Sequence, residues 1–207
     1  VHDGKNLEAE IKLLLDPSLY EQIKSTFSPA VEEVCQENFF FDNADGFLLK
    51  SKWALRVRLQ GSDKGFLTVK GPGEMINALH CRTEYETPIP RQKAEQLLKG
   101  FSLGSEDYLP CRELIKRFGN MDVLPFLSFQ NIRMTFPWKE WKFELDKTTI
   151  NTKIFYELEV ETDISQKDYL EKELISLFQS RGWTYTPYRL SKFKRALEIY
   201  MKNKKKE

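Results

Sequence analysis

Long uncharged apolar runs are absent from this chain of 207 residues, and their absence predicts that no segment of it spans a membrane. A large charge of one sign is also lacking, because 32 Lys and Arg residues face 31 Asp and Glu residues. The net charge of +1 produces no overall field that would attract nucleic acid or an anionic membrane. We therefore expect neither partner, and an anion would have to bind at a local cluster of basic side chains.

Cysteine and histidine are scarce. The cysteines Cys35, Cys81 and Cys111 are odd in number and have no C-x-x-C spacing, which is typical of reduced thiols in a cytoplasmic protein. His2 and His80 are too few and too far apart for a zinc site or a histidine-based triad. Any chemistry of this protein therefore belongs to carboxylates, lysines and arginines.

Internal repeats and linkers rich in Pro, Gly or Ser are missing as well. We therefore predict a single domain over residues 1–207, with a frayed basic tail at about 202–207. Apolar residues make up 41% of the chain, which includes 15 Phe and 8 Tyr, and this composition argues against disorder.

Charged and apolar residues alternate in several short segments. Side chains alternate across a strand with a period of two, so Glu8, Glu10 and Lys12 share one face of a strand whose other face is apolar. The same split recurs at 55–59, 83–86, 141–146 and 156–161. One such strand could be a solvent-exposed edge, but five cannot all be edges. They predict an α+β fold: an eight-stranded antiparallel closed β-barrel, or tunnel, with a polar charged interior and surrounding helices.

A charged interior has to be balanced. Burying ionised side chains costs several kcal/mol per charge unless they are paired or hold ions. A polyphosphate with a divalent metal would supply the balance, since glutamates bind hard cations and basic side chains neutralise phosphate oxygens. The residues predicted to neutralise phosphate are Lys12, Arg56, Arg58, Lys70, Arg133 and Lys192.

The motifs of these segments follow a recognisable order. Glu8-Ala9-Glu10-Ile11-Lys12 fits an E-x-E-x-K signature, which alone is common in charged strands. The later motifs are Phe41-Asp42, Ala54-Leu55-Arg56-Val57-Arg58, Thr68-Val69-Lys70, Arg82-Thr83-Glu84-Tyr85-Glu86, Asn131-Ile132-Arg133, Phe143-Glu144-Leu145-Asp146, Glu157-Leu158-Glu159 and Ser191-Lys192-Phe193. Over nearly the whole chain, this ordered set resembles the CYTH superfamily, the triphosphate tunnel metalloenzymes.

The resemblance implies a triphosphatase that depends on Mg²⁺ or Mn²⁺ and acts on a small-molecule triphosphate. We expect the protein to be a monomer or a homodimer. The metal ligands that it implies are Glu8, Glu10, Glu144, Glu157 and Glu159. The supporting residues are Glu84, Glu86, Asp146 and Glu161. The basic residues named above would form the phosphate cradle, and the catalytic residues would be Glu10 and Lys70, with Lys70 tuning the protonation of the attacking water.

The substrate is narrowed by one departure from the family. Thiamine triphosphatases of this family carry Trp directly before a Leu-Arg pair, whereas this chain has Ala54 there and Trp53 one place earlier. Inorganic tripolyphosphate, cleaved to pyrophosphate and orthophosphate, is therefore the leading substrate. Three alternatives stay open: a class IV-type adenylyl cyclase, a nucleoside or thiamine triphosphatase, and a non-catalytic module that binds polyphosphate or nucleotides.

Overall fold

The structure is a computed structural model that describes residues 5–7, 9–76 and 79–204, and the side chains of residues 10–72 and 83–204. Within these ranges, ten strands form: β1 (Lys5–Leu7), β2 (Ala9–Leu15), β3 (Glu32–Asp42), β4 (Ala54–Gln60), β5 (Lys64–Ile76), β6 (Leu79–Pro90), β7 (Phe101–Ser102), β8 (Asp122–Trp138), β9 (Trp141–Ile150) and β10 (Lys153–Thr162). The α-helices are α1 (Pro17–Thr26), α2 (Phe47–Lys50), α3 (Arg91–Leu97), α4 (Leu109–Phe118), α5 (Lys167–Ser180) and α6 (Lys192–Lys204). Over the same ranges, no helix is both long and apolar enough to cross a membrane.

The strands build one antiparallel sheet in the order β1-β6-β5-β4-β3-β8-β9-β10-β2, and β7 forms a short separate ladder with β8. The predicted combination of antiparallel strands and helices is therefore present. The register places Arg58 of β4 opposite Asn38 of β3. It places Glu159 of β10 between Lys12 of β2 and Glu144 of β9.

The prediction of a closed eight-stranded barrel was wrong. In the described part of the chain, the sheet has more strands than eight and runs as an open path from β1 to β2, without a ladder between these two strands. Residues 5–7 bond to β6 and residues 9–15 bond to β10, so none of these described residues pairs with a strand on both sides.

The outer edge of β2 is bonded instead to an irregular segment, residues 184–190, which we call the strap. The backbone N–H of Leu14 donates to the carbonyl of Thr186 at 2.9 Å, and the N–H of Tyr188 donates to the carbonyl of Lys12 at 2.8 Å. The strap thus satisfies the edge of the sheet that a neighbouring strand would satisfy in a barrel.

The predicted alternation of side chains is confirmed on the central strands. On β4, Leu55, Val57 and Leu59 are at most 4% exposed and pack in the core, whereas Arg56 and Arg58 lie on the opposite face. β10 alternates in the same way, with Leu158 and Val160 in the core. One face of the sheet is therefore apolar, and the other carries the charges.

Helices cover the apolar face. α1 begins after Asp16, whose Oδ1 accepts a hydrogen bond from the N–H of Leu19 at 2.8 Å, with Pro17 in the first turn. α5 packs in the same core through Leu170, Leu174 and Phe178, which recur at a spacing of four and lie on one side of the helix. Helices α3 and α4 pack on the other half of the sheet.

Helix α6 packs differently, against one end of the charged face. Phe193 stacks on Phe40 with ring centroids 4.5 Å apart, and Phe40 stacks on Phe129 at 5.6 Å. Phe40 and Phe129 are each two residues from a polar side chain on the charged face, Asn38 and Asn131, so they share that face. Their apolar cluster with α6 limits the charged surface at this end.

Candidate functional site

A cavity of about 320 Å³ lies against the charged face of the sheet. Strands β2, β3, β4, β5, β8 and β10 supply one wall, and α5, α6 and the strap supply the rest. Of the described side chains that line it, nine are cationic and four are carboxylates, an excess of five positive charges. Five carboxylates behind this lining pair with four of these cations, so the cavity presents cationic groups to an anion without a large net charge of the whole site; they are Glu84, Glu86, Glu144, Asp146 and Glu157.

Arg58 is a cation of this cavity whose polar partner is an uncharged side chain. Its Nε donates to the neutral amide oxygen of Asn38 at 3.1 Å, and within the described ranges no carboxylate forms an ion pair with it. Burial, together with the nearby Arg56 and Arg133, lowers the pKa of Arg58 to about 9. The fold therefore holds a guanidinium where its charge is unfavourable unless an anion is present.

The neighbouring strands hold two further cations through glutamates. Arg56 Nη2 lies 3.2 Å from Glu86 Oε2 and 3.9 Å from Glu84 Oε1, and it donates to the hydroxyl of Thr68 at 3.1 Å. Lys70 Nζ lies 2.7 Å from Glu84 Oε2. The structure thus brings Glu84 and Glu86 beside the basic residues that they were predicted to support.

Arg133 stands at the centre of the acidic side. Its Nε and Nη2 form a bidentate pair with Asp146, at 2.8 and 2.7 Å, and Nη2 also lies 2.7 Å from Glu159 Oε2. Glu144 contacts Nη1 of the same guanidinium. Burial opposes ionisation of Arg133, but these carboxylates outweigh it and raise its pKa well above the usual value.

Lys192, at the start of α6, and Lys12, on β2, complete this cluster. Lys192 Nζ lies 2.5 Å from Glu159 Oε1 and 2.7 Å from Asp146 Oδ2, while Lys12 Nζ lies 2.9 Å from Glu159 and 3.1 Å from Glu10. Burial would raise the pKa of Glu159, but Lys192, Lys12 and Arg133 hold it well below its usual range. Glu159 is therefore ionised and shared among three cations.

The carboxylates offer hard oxygen donors of the kind that Mg²⁺ and Mn²⁺ bind. Glu10, Glu159 and Glu161 line the cavity, and Glu10 lies opposite Glu161 in the ladder between β2 and β10. The side chains that the structure describes include no group of three acidic, histidine or cysteine residues placed to hold a metal ion. The donor chemistry fits a divalent metal, and the assignment of ligands stays a prediction. Glu8, also predicted as a ligand, lies outside the described residues.

The site also contains residues that the sequence did not reveal. Asn131 Nδ2 donates to Asp146 Oδ1 at 2.9 Å, and its own Oδ1 accepts from the hydroxyl of Thr148 at 2.9 Å. Arg195 of α6 donates to Glu157 Oε1 at 2.9 Å. Spacing along the chain could have indicated both residues. Asn131 is two residues from Arg133 on β8 and shares its face, and Arg195 is about one helical turn from Lys192.

A comparison with protein families identifies the family of this chain. The CYTH domain pattern matches residues 6–183, and the chain belongs to the CYTH family. This confirms the resemblance noted from the order of the motifs.

Individual relatives agree with this membership. The chain is 30% identical over 86 residues to an inorganic triphosphatase from Haemophilus influenzae, a stretch that covers 40% of this chain and only 24% of that protein. HpAC1 from Hippeastrum, a candidate adenylyl cyclase described as having a dominant triphosphatase activity, shares 26% identity. Its structure superposes with a TM-score of 0.83 over 95% of this chain and 96% of its own. A candidate adenylate cyclase from Bacillus halodurans shares the fold, with a TM-score of 0.71 over 93% of this chain and 98% of its own at 18% identity.

Proposed function

We propose that this protein hydrolyses inorganic tripolyphosphate to pyrophosphate and orthophosphate with a divalent metal. The observation that supports this most directly is the environment of Arg58. Neighbouring Arg56 and Arg133 disfavour the positive charge of this side chain in the cavity, and its polar partner is a neutral amide. A phosphate oxygen would supply the missing counter-charge and accept the guanidinium's remaining hydrogen bonds.

The remaining basic residues would extend this contact along a chain of phosphates. Arg56 and Lys70 are oriented by Glu84 on one side of the cavity, and Arg133, Lys12 and Lys192 are oriented by Glu159 on the other. Phosphoryl transfer requires mainly alignment and neutralisation of charge, so a fixed set of cations is suited to it. Lys70 Nζ would stabilise charge on the phosphate under attack.

Glu10 and Glu161, together with Glu159, are the residues that would hold the metal, because they carry carboxylates into the cavity from adjacent strands. When bound, Mg²⁺ or Mn²⁺ would neutralise phosphate oxygens and acidify the attacking water. Glu10 would then exchange its contact with Lys12 for the metal, leaving Lys12 to the phosphate.

The relatives favour this reaction class. The Haemophilus influenzae relative is named as an inorganic triphosphatase, and the Hippeastrum relative is described by a dominant triphosphatase activity. The description of the latter as a candidate adenylyl cyclase supports a second candidate function, the conversion of ATP to cyclic AMP and pyrophosphate.

Both functions are tested by incubating the protein with tripolyphosphate, ATP, GTP or thiamine triphosphate under Mg²⁺ and under Mn²⁺. We expect orthophosphate from tripolyphosphate, and loss of this activity in Glu10→Gln and in Arg58→Ala. Arg112→Ala is the matched control, since Arg112 is exposed on α4 and its ion pair among the described side chains is with exposed Asp107. Full activity in both site variants would refute the proposal, and cyclic AMP with pyrophosphate from ATP would favour the cyclase.

Three further expectations accompany this proposal. The single-domain organisation, the monomeric or homodimeric state and the cytoplasmic location stay predictions. Light scattering of the purified protein measures its oligomeric state directly.

A further inference from the structure

Arg195 is a buried arginine on α6 with an unusual set of contacts. It is 4% exposed, and its guanidinium lies over the rings of Phe155 and Tyr188, at 4.4 and 4.6 Å from their centroids. Its Nε donates to the Tyr188 hydroxyl at 3.3 Å and its Nη2 to Glu157 Oε1 at 2.9 Å. Two rings and one carboxylate therefore fix the guanidinium from three directions.

Glu157 is divided between two cations of the same helix. The residue is fully buried, and its Oε1 binds Arg195. Its Oε2 has no hydrogen-bond partner among the described residues and lies 3.4 Å from Lys192 Nζ. Lys192 precedes Arg195 by three residues, so both project from one side of α6. The nearer partners of Lys192 are Glu159 and Asp146, at 2.5 and 2.7 Å.

This division of contacts determines where the Lys192 ammonium lies. A buried carboxylate without a cation is strongly unfavourable, so Glu157 must be paired with one. Because Arg195 takes that pairing, Lys192 stays on the Glu159 and Asp146 side, where it lines the cavity. Without Arg195, Glu157 would attract Lys192 over roughly half an ångström to an ordinary ion-pair distance of about 2.8 Å. The ammonium would then move away from the cavity.

We propose that Arg195 is a positioning residue that neutralises Glu157 and thereby holds Lys192 in place to bind phosphate. The inference rests on the proposed function, in which Lys192 contacts the substrate. It also gives Glu157 a role beside the one implied by the family resemblance: Glu157 anchors α6 through Arg195.

A double-variant cycle tests this role: Arg195→Met, Glu157→Gln and the two combined, with Arg181→Met as the control on an exposed arginine. Two quantities are measured, the Kd for tripolyphosphate by calorimetry in EDTA, which needs no metal, and KM with kcat under Mg²⁺. We expect Arg195→Met to raise both Kd and KM by about tenfold, with kcat changed less than about threefold, since a displaced cation weakens binding first.

Combining the two substitutions removes both buried charges, so we expect Kd and KM to return to within about threefold of wild type. Arg195→Lys keeps the charge and should also retain KM to within about threefold, which provides a measurement if the methionine variant does not fold. A purely structural role would lower the melting temperature without this rescue.

The outcomes separate the two proposals. Wild-type protein that neither binds nor hydrolyses tripolyphosphate refutes the proposed function and the role of Arg195 with it. The role of Arg195 alone is refuted if the wild type is active and KM is unchanged in Arg195→Met. It is also refuted if the increases in KM of the two single variants add up in the combined variant.

Discussion

Replacing Arg58 by methionine should have opposite effects on the stability of the protein and on its affinity for phosphate. The lowering of the Arg58 pKa from its ordinary value to about 9 means that the fold disfavours the charged side chain. By the usual conversion this corresponds to roughly 5 kcal/mol, which is an upper bound because side chains and water relax around the charge. Methionine keeps most of the apolar stem, and loss of the hydrogen bond to Asn38 offsets about 1 kcal/mol. We therefore expect Arg58→Met to raise the free energy of unfolding by about 1–3 kcal/mol.

The affinity should change in the other direction. Hydrogen bonds to a charged partner contribute about 1.5–3 kcal/mol, so the Kd for tripolyphosphate should rise about 10- to 150-fold. Urea denaturation, run with and without tripolyphosphate, measures both effects in one experiment. The wild type should gain about 2.7 kcal/mol at a ligand concentration of 100 times Kd, and the variant at the same concentration should gain far less.

Arg112→Met is the control for this experiment, because Arg112 is 58% exposed and its removal should leave both quantities within about 0.5 kcal/mol of wild type. An Arg58→Met protein that is less stable than wild type, yet keeps the stabilisation by tripolyphosphate, would show that Arg58 has a structural role and no anion-binding one.

Other expectations concern pH, helix capping and thiol chemistry. The free energy of unfolding, measured by urea denaturation at constant ionic strength, should fall as pH drops through the usual carboxylate range, because Lys192, Lys12 and Arg133 hold the pKa of Glu159 well below its usual value in the folded protein; a stability that stays flat down to about pH 3 would contradict this. Asp16→Ala should cost about 1 kcal/mol of unfolding free energy through loss of the cap on Leu19 and Asp16→Asn much less, whereas equal costs would assign the effect to charge. Burial raises the pKa of the Cys111 thiol to about 12, so peptide mass spectrometry after iodoacetamide treatment at pH 8 should find exposed Cys35 alkylated and Cys111 unmodified until urea is added.

The arrangement of side chains on each strand could be predicted because a strand alternates with a period of exactly two residues. That rule alone placed Arg56 and Arg58 on one face and Leu55 and Val57 on the other, as the structure confirms. The open sheet could not be predicted in this way, since it depends on which partner bonds to the edge of β2. The strap that bonds there has no periodic pattern and includes Pro187, so no local signal marks it as a neighbour of the sheet.

The ion pairs within the site could not be predicted from the alternation of side chains either. The two-residue period of a strand shows that Glu157 and Glu159 lie on the same face. It does not show that Glu157 binds Arg195 or that Glu159 is shared by Lys12, Arg133 and Lys192. These partners come from three separate elements, β2, β8 and α6, and their distances depend on the curvature of the sheet and on the docking of α6. The metal-ligand role of Glu157 that the family resemblance implies stays a prediction.

The late position of α6 along the chain has a consequence for how the protein is made. During translation, β9 and β10 leave the ribosome before α6 does, so Asp146 and Glu157 are exposed to solvent while Lys192 and Arg195 are still being added. Removing these carboxylates from water without their cationic partners costs several kcal/mol per charge. We therefore expect this half of the sheet to remain incompletely folded on the nascent chain until the last helix has emerged.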